Sequence, residues 1–465
     1  MKNIARRRPR WEILSPYATN FPMVLSAKKW FGSEGTSQRV IRDFAGLLLE
    51  RGGRFALGFV VTGIVARHLG PNSFGELSYG LAIGMIGAGI AQLGLDSLVM
   101  RNIARHPDEA AQTFITALVL RTAAALIVWC GLIGMVTLSS TSHESAVVLI
   151  VLGLTALSAV TSVPALWFQA KTLGRWPAWA GFGVFILSAI VRLLLVHANA
   201  GLLGFAWVAV AEMLATGALT AWMVRLNSSV ASRWRFSTEM AKHLGREAWP
   251  LWVSGLATSI YMRADQIILN ALSGKEQVGL LAAALRLSEQ GYIVPMVLAP
   301  PMLGALAART TASGERERLV ERYFSASVLV AYGFCICVWI VSPWVYGNLF
   351  GHAFVEASSV ARVQVLGAPF VFLGVARSQA LVVAGLVRFS MWTTLAGATV
   401  NVIANLLFAA RFGAIGAAWS GVVSQIVAAW LSTWCHPSTR SLARAQTGAL
   451  LSPWRAFSRT TKPLT

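Results

Sequence analysis

The sequence predicts an all-α polytopic membrane protein, with about twelve transmembrane helices in two parallel six-helix halves around a central cavity. Three observations predict this fold class: an apolar composition, long apolar runs at regular spacing, and an internal repeat. Of 465 residues, 56% are hydrophobic and only 12% are charged, whereas soluble domains carry roughly 25% charged residues. Such a composition is typical of a chain that lies in lipid.

Apolar runs long enough to cross a membrane recur along most of the chain. A spanning helix needs about 20 apolar residues, because lipid cannot satisfy free backbone groups. The predicted spans are 44–66, 74–100, 113–138, 146–168, 177–196, 202–224, 249–272, 278–307, 324–344, 360–384, 389–410 and 415–434. They divide the chain into a basic amino-terminal extension (1–42), a first half (43–226), a linker (227–248), a second half (249–435) and a basic tail (436–465). The extension has no apolar core, so it is not expected to be a cleavable signal peptide.

The internal repeat begins with two stretches far apart in the chain. "ARHLGPNSFGELSYGLAIG" returns as "NALSGKEQVGLLAAALRLSE", with Gly70 aligned on Gly274 and Gly75 on Gly279. Each stretch joins the first two predicted spans of its half. Glycine accepts backbone conformations that strain other residues, so both stretches predict tight turns.

A second pair of stretches extends the repeat. "GLLGFAWVAVAE" from Gly201 and "GAIGAAWSGVVSQ" from Gly413 both read G-x-x-G-x-A-W, and each lies between the fifth and sixth predicted spans of its half. An even number of spans per half gives the halves the same orientation, which is a parallel repeat. The alternative is chance similarity, since small residues also recur in membrane helices for packing reasons.

The positive charge follows a topological pattern. The formal net charge is +20, and most arginines and lysines lie in the even-numbered connections and the two tails. By the positive-inside rule, both termini and the even connections are predicted to be cytoplasmic. Topology and attraction to anionic membrane lipids explain these charges, so nucleic acid is not an expected partner.

No catalytic, metal or cofactor site is predicted. The four cysteines lie in apolar runs or at their ends, and Cys335 and Cys337, two residues apart, would point to nearly opposite faces of a helix. The seven histidines show no ligand spacing, and no G-x-x-x-x-G-K-[ST] loop is present to hold nucleotide phosphates. The chain is therefore not expected to be an enzyme or to use ATP directly.

Four segments carry a resemblance to a known family. They are "VARHLGPNSFGELSYGLA" and "LGLDSLVMRNIAR" in the first half, and "WPLWVSGLATSIYMRADQIIL" and "VGLLAAALRLSEQGYIVP" in the second. The chain resembles the polysaccharide-exporting branch, of the O-antigen and exopolysaccharide flippase type, of the multidrug/oligosaccharidyl-lipid/polysaccharide (MOP) flippase superfamily. The resemblance covers nearly everything from residue 43 to residue 434. The long basic amino-terminal extension departs from the family's pattern.

This resemblance implies a flippase of the bacterial inner membrane. Members move lipid-linked oligosaccharides from the cytoplasmic to the outer leaflet for lipopolysaccharide, capsule or exopolysaccharide synthesis. The implied partners are the lipid-linked oligosaccharide, membrane lipids, and the polysaccharide polymerase and export machinery.

Charged residues within the predicted spans are the candidate functional residues, because a charge at the helix centre costs about 3 kcal/mol or more. Glu50 and Arg54 are four residues apart, and Arg286 and Glu289 are three apart. Each pair can neutralise itself on one helix face, so a purely structural role is an alternative for both pairs.

The remaining charged residues in the spans have no partner nearby in sequence. Arg263 and Asp265 are two residues apart, which on a helix turns their side chains about 200° from each other. One of them is expected to face a central cavity and the other a neighbouring helix. Further lone charged residues in other predicted spans include the arginines Arg121, Arg192 and Arg377 and the carboxylate Glu212.

Cations in a cavity suit an anionic cargo, because arginine matches phosphate through bidentate, charge-assisted hydrogen bonds. A saccharide joined to a polyprenyl carrier through pyrophosphate is such a cargo. The candidate substrate-binding residues are Arg54, Arg263, Arg286 and Arg377. The candidate ion-coupling residues are Asp265, Glu289 and Glu212.

Two other functions compete with this hypothesis. A cation-coupled multidrug exporter of the same superfamily would need an acidic, apolar cavity, whereas the arginines here outnumber the isolated carboxylates. A membrane-embedded polysaccharide polymerase or ligase would need a long polar loop with catalytic carboxylates, and the connections are short.

Overall fold

The computed structural model of the chain describes residues 34–138, 142–227, 235–296, 299, 302 and 313–454. These residues form helices joined by short turns, and the described ranges contain no strand. Eight of the described helices are long and apolar enough to cross a membrane. The prediction of a helical, multi-pass membrane protein is confirmed. Most of the predicted amino-terminal extension lies outside the described residues, and so do the side chains that precede Gly53.

The first half consists of eight helices and two short 3-10 turns. The helices are α1 (Glu34–Ala91), α2 (Asp96–Arg105), α3 (Ala110–Leu138), α4 (His143–Gly153), α5 (Ser158–Thr161), α6 (Val163–Ala170), α7 (Arg175–His197) and α8 (Leu202–Asn227). The 3-10 turns are Pro107–Glu109 and Leu154–Leu157.

The second half has a similar order of elements. Its helices are α9 (Thr238–Ser288), α10 (Ser313–Trp344), α11 (Val355–Gln364), α12 (Ala368–Val383), α13 (Val387–Ile426), α14 (Ser432–Trp434) and α15 (Arg440–Leu451). Its 3-10 turns are Glu289–Tyr292, His352–Phe354, Val365–Gly367 and Pro437–Thr439, and its π-helical turns are Val345–Phe350 and Val427–Leu431.

Helices α1 and α9 each consist of two arms joined at a break in the backbone. Helix α1 has 58 residues, and a straight helix of that length would extend about 87 Å, far beyond a hydrocarbon core of about 30 Å. Its backbone breaks at Gly70 (φ 73°, ψ 169°), and α9 breaks in nearly the same conformation at Gly274 (φ 82°, ψ 176°). Gly58 and Leu81, from the two arms of α1, line one cavity, so the arms lie side by side. We name the turns at Gly70 and Gly274 the glycine turns.

The turn that follows α6 recurs after α12. The amide of Leu173 donates to the carbonyl of Phe168 over 2.8 Å, and the amide of Leu386 donates to that of Leu381 over 2.9 Å. A left-handed residue precedes the donor in each case, Thr172 in the first half and Gly385 in the second. The same bond also follows α7, where the amide of Ala200 donates to the carbonyl of Leu195 over 2.9 Å after left-handed Asn199, so it is a common helix ending that the two halves share.

The second repeated stretch differs between the halves. Helix α13 breaks at Gly413, which has a φ of 56°, whereas Gly201 is not left-handed. In the first half the left-handed residue is Asn199, two positions before Gly201, with a φ of 53°. Asparagine tolerates this conformation better than most residues other than glycine, so the two turns are built at different positions.

The two predicted fourth spans, 146–168 and 360–384, are interrupted in the structure. Leu154–Leu157 separates helical segments in the first, and Val365–Gly367 does so in the second. The irregular segment of the first half packs against Gly84 of α1, where an added Cβ would lie 1.8 Å from Thr155 Oγ1. Close packing against small residues is how membrane helices commonly associate.

The halves contact each other at the glycine turns in a two-fold arrangement. A Cβ added at Gly75 would lie 1.8 Å from the carbonyl oxygen of Lys275, and one added at Gly279 would lie 2.0 Å from that of Pro71. These contacts are equivalent, because Gly75 aligns with Gly279 and Pro71 with Lys275. The Lys275 Nζ also donates to Glu76 Oε2 over 2.9 Å across the same contact.

A second contact between the halves lies at the opposite end of the first arm of α9. The Trp252 indole donates to the carbonyl of Ile90 over 2.9 Å, and Arg101 forms an ion pair with Glu247. Leu244 and Ala248 join a buried apolar cluster of the first half. Helix α9 begins at Thr238, inside the segment predicted as a linker (227–248).

Part of the predicted tail (436–465) is an ordered helix that packs on the second half. Helix α15 places Leu450 against Tyr332 of α10, whose hydroxyl donates to the Leu450 carbonyl over 2.8 Å. The Gln446 amide donates to the carbonyl of Ala429 over 2.9 Å. Arg440 and Arg444 lie on its exposed side.

Candidate functional site

A cavity of about 390 Å³ lies between the first half and the arm of α9 that follows Gly274. Both arms of α1, together with α7 and α8, supply most of its wall, and the end of α9 closes one side. The lining includes five charged side chains, Arg54, Arg192, Glu212, Arg286 and Glu289, together with the polar residues Thr62, Ser78 and Gln290. The rest of the lining is mainly apolar. The cavity therefore combines a polar site with an apolar surface, as ligand sites commonly do.

Arg54 enters the cavity beside an aromatic ring. Its guanidinium lies 5.2 Å from the ring centroid of Phe185 on α7, in a cation–π contact. Gly181 and Gly58 leave room for the two groups, since a Cβ added at either glycine would contact Arg54 or Phe185. Arg54 forms no ion pair with any described carboxylate; the predicted pair with Glu50 lies outside the described side chains.

Arg192 and Glu212, which have no charged partner nearby in sequence, are paired with each other in the structure. The Arg192 Nη2 donates to Glu212 Oε2 over 2.6 Å, and the Ser188 hydroxyl donates to the same oxygen over 2.8 Å. Both charged side chains remain about one fifth exposed. Helices α7 and α8 bring the pair together from positions twenty residues apart, which sequence spacing does not reveal.

Arg286 and Glu289 both line the cavity without forming a direct ion pair, although their three-residue spacing allows one. Arg286 is exposed to the cavity, and none of the described side chains accepts a hydrogen bond from its guanidinium. Its charge interacts with those of Glu289, Arg263 and Arg192. The Arg286 guanidinium is therefore available to a ligand.

Arg263 and Asp265 lie beside this charged group but do not line the cavity. Arg263 Nε contacts Met85 Sδ of the first half at 3.1 Å. The Asp265 carboxylate accepts a hydrogen bond from the backbone N–H of Gln266 over 2.8 Å. It also interacts electrostatically with Arg263 and Glu289. The structure thus groups four arginines and three carboxylates: Arg54, Arg192, Arg263 and Arg286 with Glu212, Asp265 and Glu289.

Arg377 lies away from the cavity. It is 4% exposed, and it donates to the hydroxyls of Ser432, Thr433 and Thr393 at 2.8–3.1 Å. These hydroxyls also donate to carbonyls of their own helices, so each can accept from the guanidinium. This bonding ties α12 to the helices that follow it. The structure does not bring Arg377 together with the other three predicted substrate-binding arginines.

Sequence reasoning missed Arg192 and Phe185 as lining residues of the cavity. Both lie on one face of α7, as do Phe182 and Ser188, at spacings of three and four residues. That periodicity could have assigned these residues to one face of α7. It could not have shown which helices that face contacts. Among the described residues, no group of three or more potential metal ligands occurs.

The described chain thus consists of multi-pass helices in two similar halves, with a charged cavity at their contact. Residues 40–307 match the family described as "Polysaccharide biosynthesis protein", and the chain belongs to that family. No curated protein matches this chain.

Two solved structures show the same fold. One is the lipid II flippase MurJ in an inward closed conformation, with 12% identity, coverage of 89% of this chain and 93% of that chain, and a TM-score of 0.68. The other is a multidrug resistance MATE family transporter of the MOP superfamily in an inward-facing conformation, with 16% identity, coverage of 88% and 96%, and a TM-score of 0.64. These likenesses show that the chain shares the fold of the two transport proteins.

Proposed function

We propose that the protein is a flippase that moves a polyprenyl-pyrophosphate-linked oligosaccharide from the cytoplasmic to the outer leaflet, for lipopolysaccharide, capsule or exopolysaccharide synthesis. The observation that carries this proposal is the pair Arg54 and Arg286. They enter one cavity from different halves, and no described carboxylate pairs directly with either. A diphosphate could accept hydrogen bonds from both guanidinium groups.

The cellular setting follows from the charge pattern of the connections. Both termini are cytoplasmic, and the protein lies in the bacterial inner membrane beside the polymerase and export machinery that use its product. The glycine turns then face the outside, and the start of α7 faces the cytoplasm. The two six-helix halves, 43–226 and 249–435, move against each other and expose the cavity alternately to each side.

Energy coupling is assigned to the carboxylates near the arginines. Glu212 and Glu289 line the cavity, and Asp265 interacts electrostatically with Glu289. When the cargo has left, these carboxylates offset the repulsion among the arginines, and a cation that binds the carboxylates would free the arginines to bind the anionic cargo again. The multidrug exporter is the second candidate, because these same carboxylates could bind a cationic compound.

Transport by reconstituted vesicles tests the cargo assignment. Arg54→Ala and Arg286→Ala should each reduce flipping of a polyprenyl-diphosphate saccharide by about tenfold or more, since each removes a charge-assisted contact worth about 1.5–3 kcal/mol. Lysine at either position should restore activity only in part, because it lacks the planar fork. Arg444→Ala, on the exposed side of α15, is the matched control.

Wild-type flipping by both alanine variants would contradict the assignment. If the purified protein instead moves organic cations and ignores the saccharide, the exporter is the better description.

A further inference from the structure

Helix α7 carries a row of aromatic rings that leads to the cavity. Trp179, Phe182 and Phe185 are spaced three residues apart, so they follow one face of the helix. The Trp179 and Phe182 ring centroids lie 6.0 Å apart in an edge contact, and those of Phe182 and Phe185 lie 6.5 Å apart in a stacked contact. The three rings therefore form one continuous row.

The row changes from exposed to buried along its length. Trp179 is 60% exposed, Phe182 is partly buried, and Phe185 is 8% exposed and lines the cavity. Arg54 lies over the Phe185 ring at the inner end of the row. An arginine that can bind a diphosphate is thus adjacent to an aromatic surface that continues outward.

The orientation of α7 shows which end of the molecule the row approaches. A ring nitrogen of His68, beside the glycine turn, lies 3.0 Å from the carbonyl oxygen of Ala200, which follows the end of α7. The end of α7 is therefore near the glycine turns, and Trp179, close to its start at Arg175, lies toward the opposite end. In the topology proposed above, that is the cytoplasmic end.

We propose that Trp179, Phe182 and Phe185 form a stacking track that binds the sugar rings of the cargo on the cytoplasmic approach to the cavity. This inference rests on the proposed function and adds to it a saccharide subsite. The electron-rich faces of aromatic rings attract the weakly positive C–H groups of a pyranose ring. Because Phe182 and Phe185 carry no hydrogen-bonding group, the contact is weak and tolerant of sugar type, which suits a group that must bind and then leave.

Two features distinguish the track from its alternatives. An aromatic residue that only anchors the protein at the interface has no reason to continue inward. Trp176 fits that role, since its ring lies 5.6 Å from the guanidinium carbon of Arg175 and it is not part of the row. A track for the isoprenoid chain would lead toward the bilayer centre, whereas this row runs from the cavity toward the membrane surface, where the saccharide of an inner-leaflet lipid lies.

Binding of two matched probes tests the track. The probes are a polyprenyl diphosphate that carries one hexose and the same diphosphate without sugar, each added to the full-length protein in detergent. Trp179→Leu and Phe182→Leu should raise the Kd for the hexose probe by about threefold to tenfold, which corresponds to the strength of one aromatic contact. The Kd for the sugar-free probe should change by less than about twofold, and this result also shows that the variants fold. Trp176→Leu should change neither Kd.

Each other outcome overturns the inference in a distinct way. If both probes weaken equally, the row binds the isoprenoid chain. If neither probe weakens, the rings only anchor the helix. Failure of the wild-type protein to bind either probe overturns the proposed function, and this inference with it.

Discussion

At the scale of single residues, the arginines within the membrane have two kinds of environment. Arg54 and Arg286 enter the cavity, whereas Arg121 is fully buried and bound by protein atoms. The Arg121 Nη2 donates to Asp96 Oδ1 over 2.5 Å, and its Nη1 donates to the carbonyl of Ala159 over 3.1 Å. Arg121 therefore has a structural role, in which it joins α2, α3 and α5.

Removal of the Asp96 charge should destabilise the protein strongly. Asp96→Asn leaves the fully buried Arg121 charge without an anion; because the Asp96 side chain is itself 47% exposed, the expected cost is about 2 kcal/mol, below that of a fully buried pair. Thermal unfolding in detergent micelles should show a clearly lower Tm. Glu247→Gln, which breaks the exposed ion pair with Arg101, is the matched control and should cost less than about 1 kcal/mol. Equal losses of Tm in the two variants would show that Arg121 does not depend on Asp96.

The sequence could identify which residues carry charge in the membrane but not which of them share a cavity. Arg286 and Arg377 look alike in sequence, since each lies in a predicted span of the second half. Their separation depends on partners distant in sequence: Arg377 is bound by hydroxyls of three residues, two of them more than fifty positions away. The same limit hid the Arg192–Glu212 pair. Contacts between helices are set by packing, which local periodicity does not encode.

At the scale of elements, the glycine turns were the most predictable feature. The alignment of Gly70 on Gly274 predicts two equivalent turns, and their φ values of 73° and 82° agree. The irregular fourth spans were not predictable. Their apolar composition is that of a continuous helix, and the close approach of Gly84 to Thr155 arises only when the first half is assembled.

Replacement of Gly70 or Gly274 by alanine should destabilise the protein through backbone strain, without a steric collision. Neither Gly70 nor Gly274 has an atom within 4 Å of the position of an added Cβ, so no collision is expected. Both glycines combine a positive φ with an extended ψ, a region that other residues occupy only at a cost of about 1–3 kcal/mol. Gly70→Ala and Gly274→Ala should each lower the free energy of unfolding by about this amount. Gly134→Ala, at an open position inside α3, should be neutral or stabilising by about 1 kcal/mol. Urea titration in micelles would measure the three values, and a stabilised Gly274→Ala variant would contradict the argument.

At the scale of the whole molecule, one ion pair joins the halves beside the glycine turns. Lys275 contacts Glu76 at 2.9 Å and Ser145 at 2.7 Å, and it occupies the position equivalent to Pro71. Lys275→Glu should place like charges together and favour separation of the turns. Addition of Glu76→Lys should restore the contact by exchanging the two charges. The distance between spin labels at Asn72 and Glu276 would measure both effects; an unchanged distance in the single variant would show that the pair does not hold the halves together.

The alternating access proposed above requires the glycine turns to separate during each transport cycle. In this structure they touch, because Gly75 lies against Lys275 and Gly279 against Pro71. Cysteines placed at Asn72 and Glu276, both exposed, in a protein without its four native cysteines should therefore react with short bifunctional reagents. A reducible crosslink should arrest saccharide flipping in vesicles, and reduction should restore it, because the cavity could not open toward the glycine turns while they are joined.

The double-cysteine protein treated with a monofunctional thiol reagent is the control for the chemical modification itself. It should remain active, because its two cysteines are not joined. A long, flexible crosslinker should inhibit less than a short one, since it permits the turns to move apart. If the protein with the short crosslink flips its cargo at the uncrosslinked rate, the cargo does not pass between the glycine turns. The path across the membrane would then have to run through one half alone, with the contact between the halves serving only to hold them together.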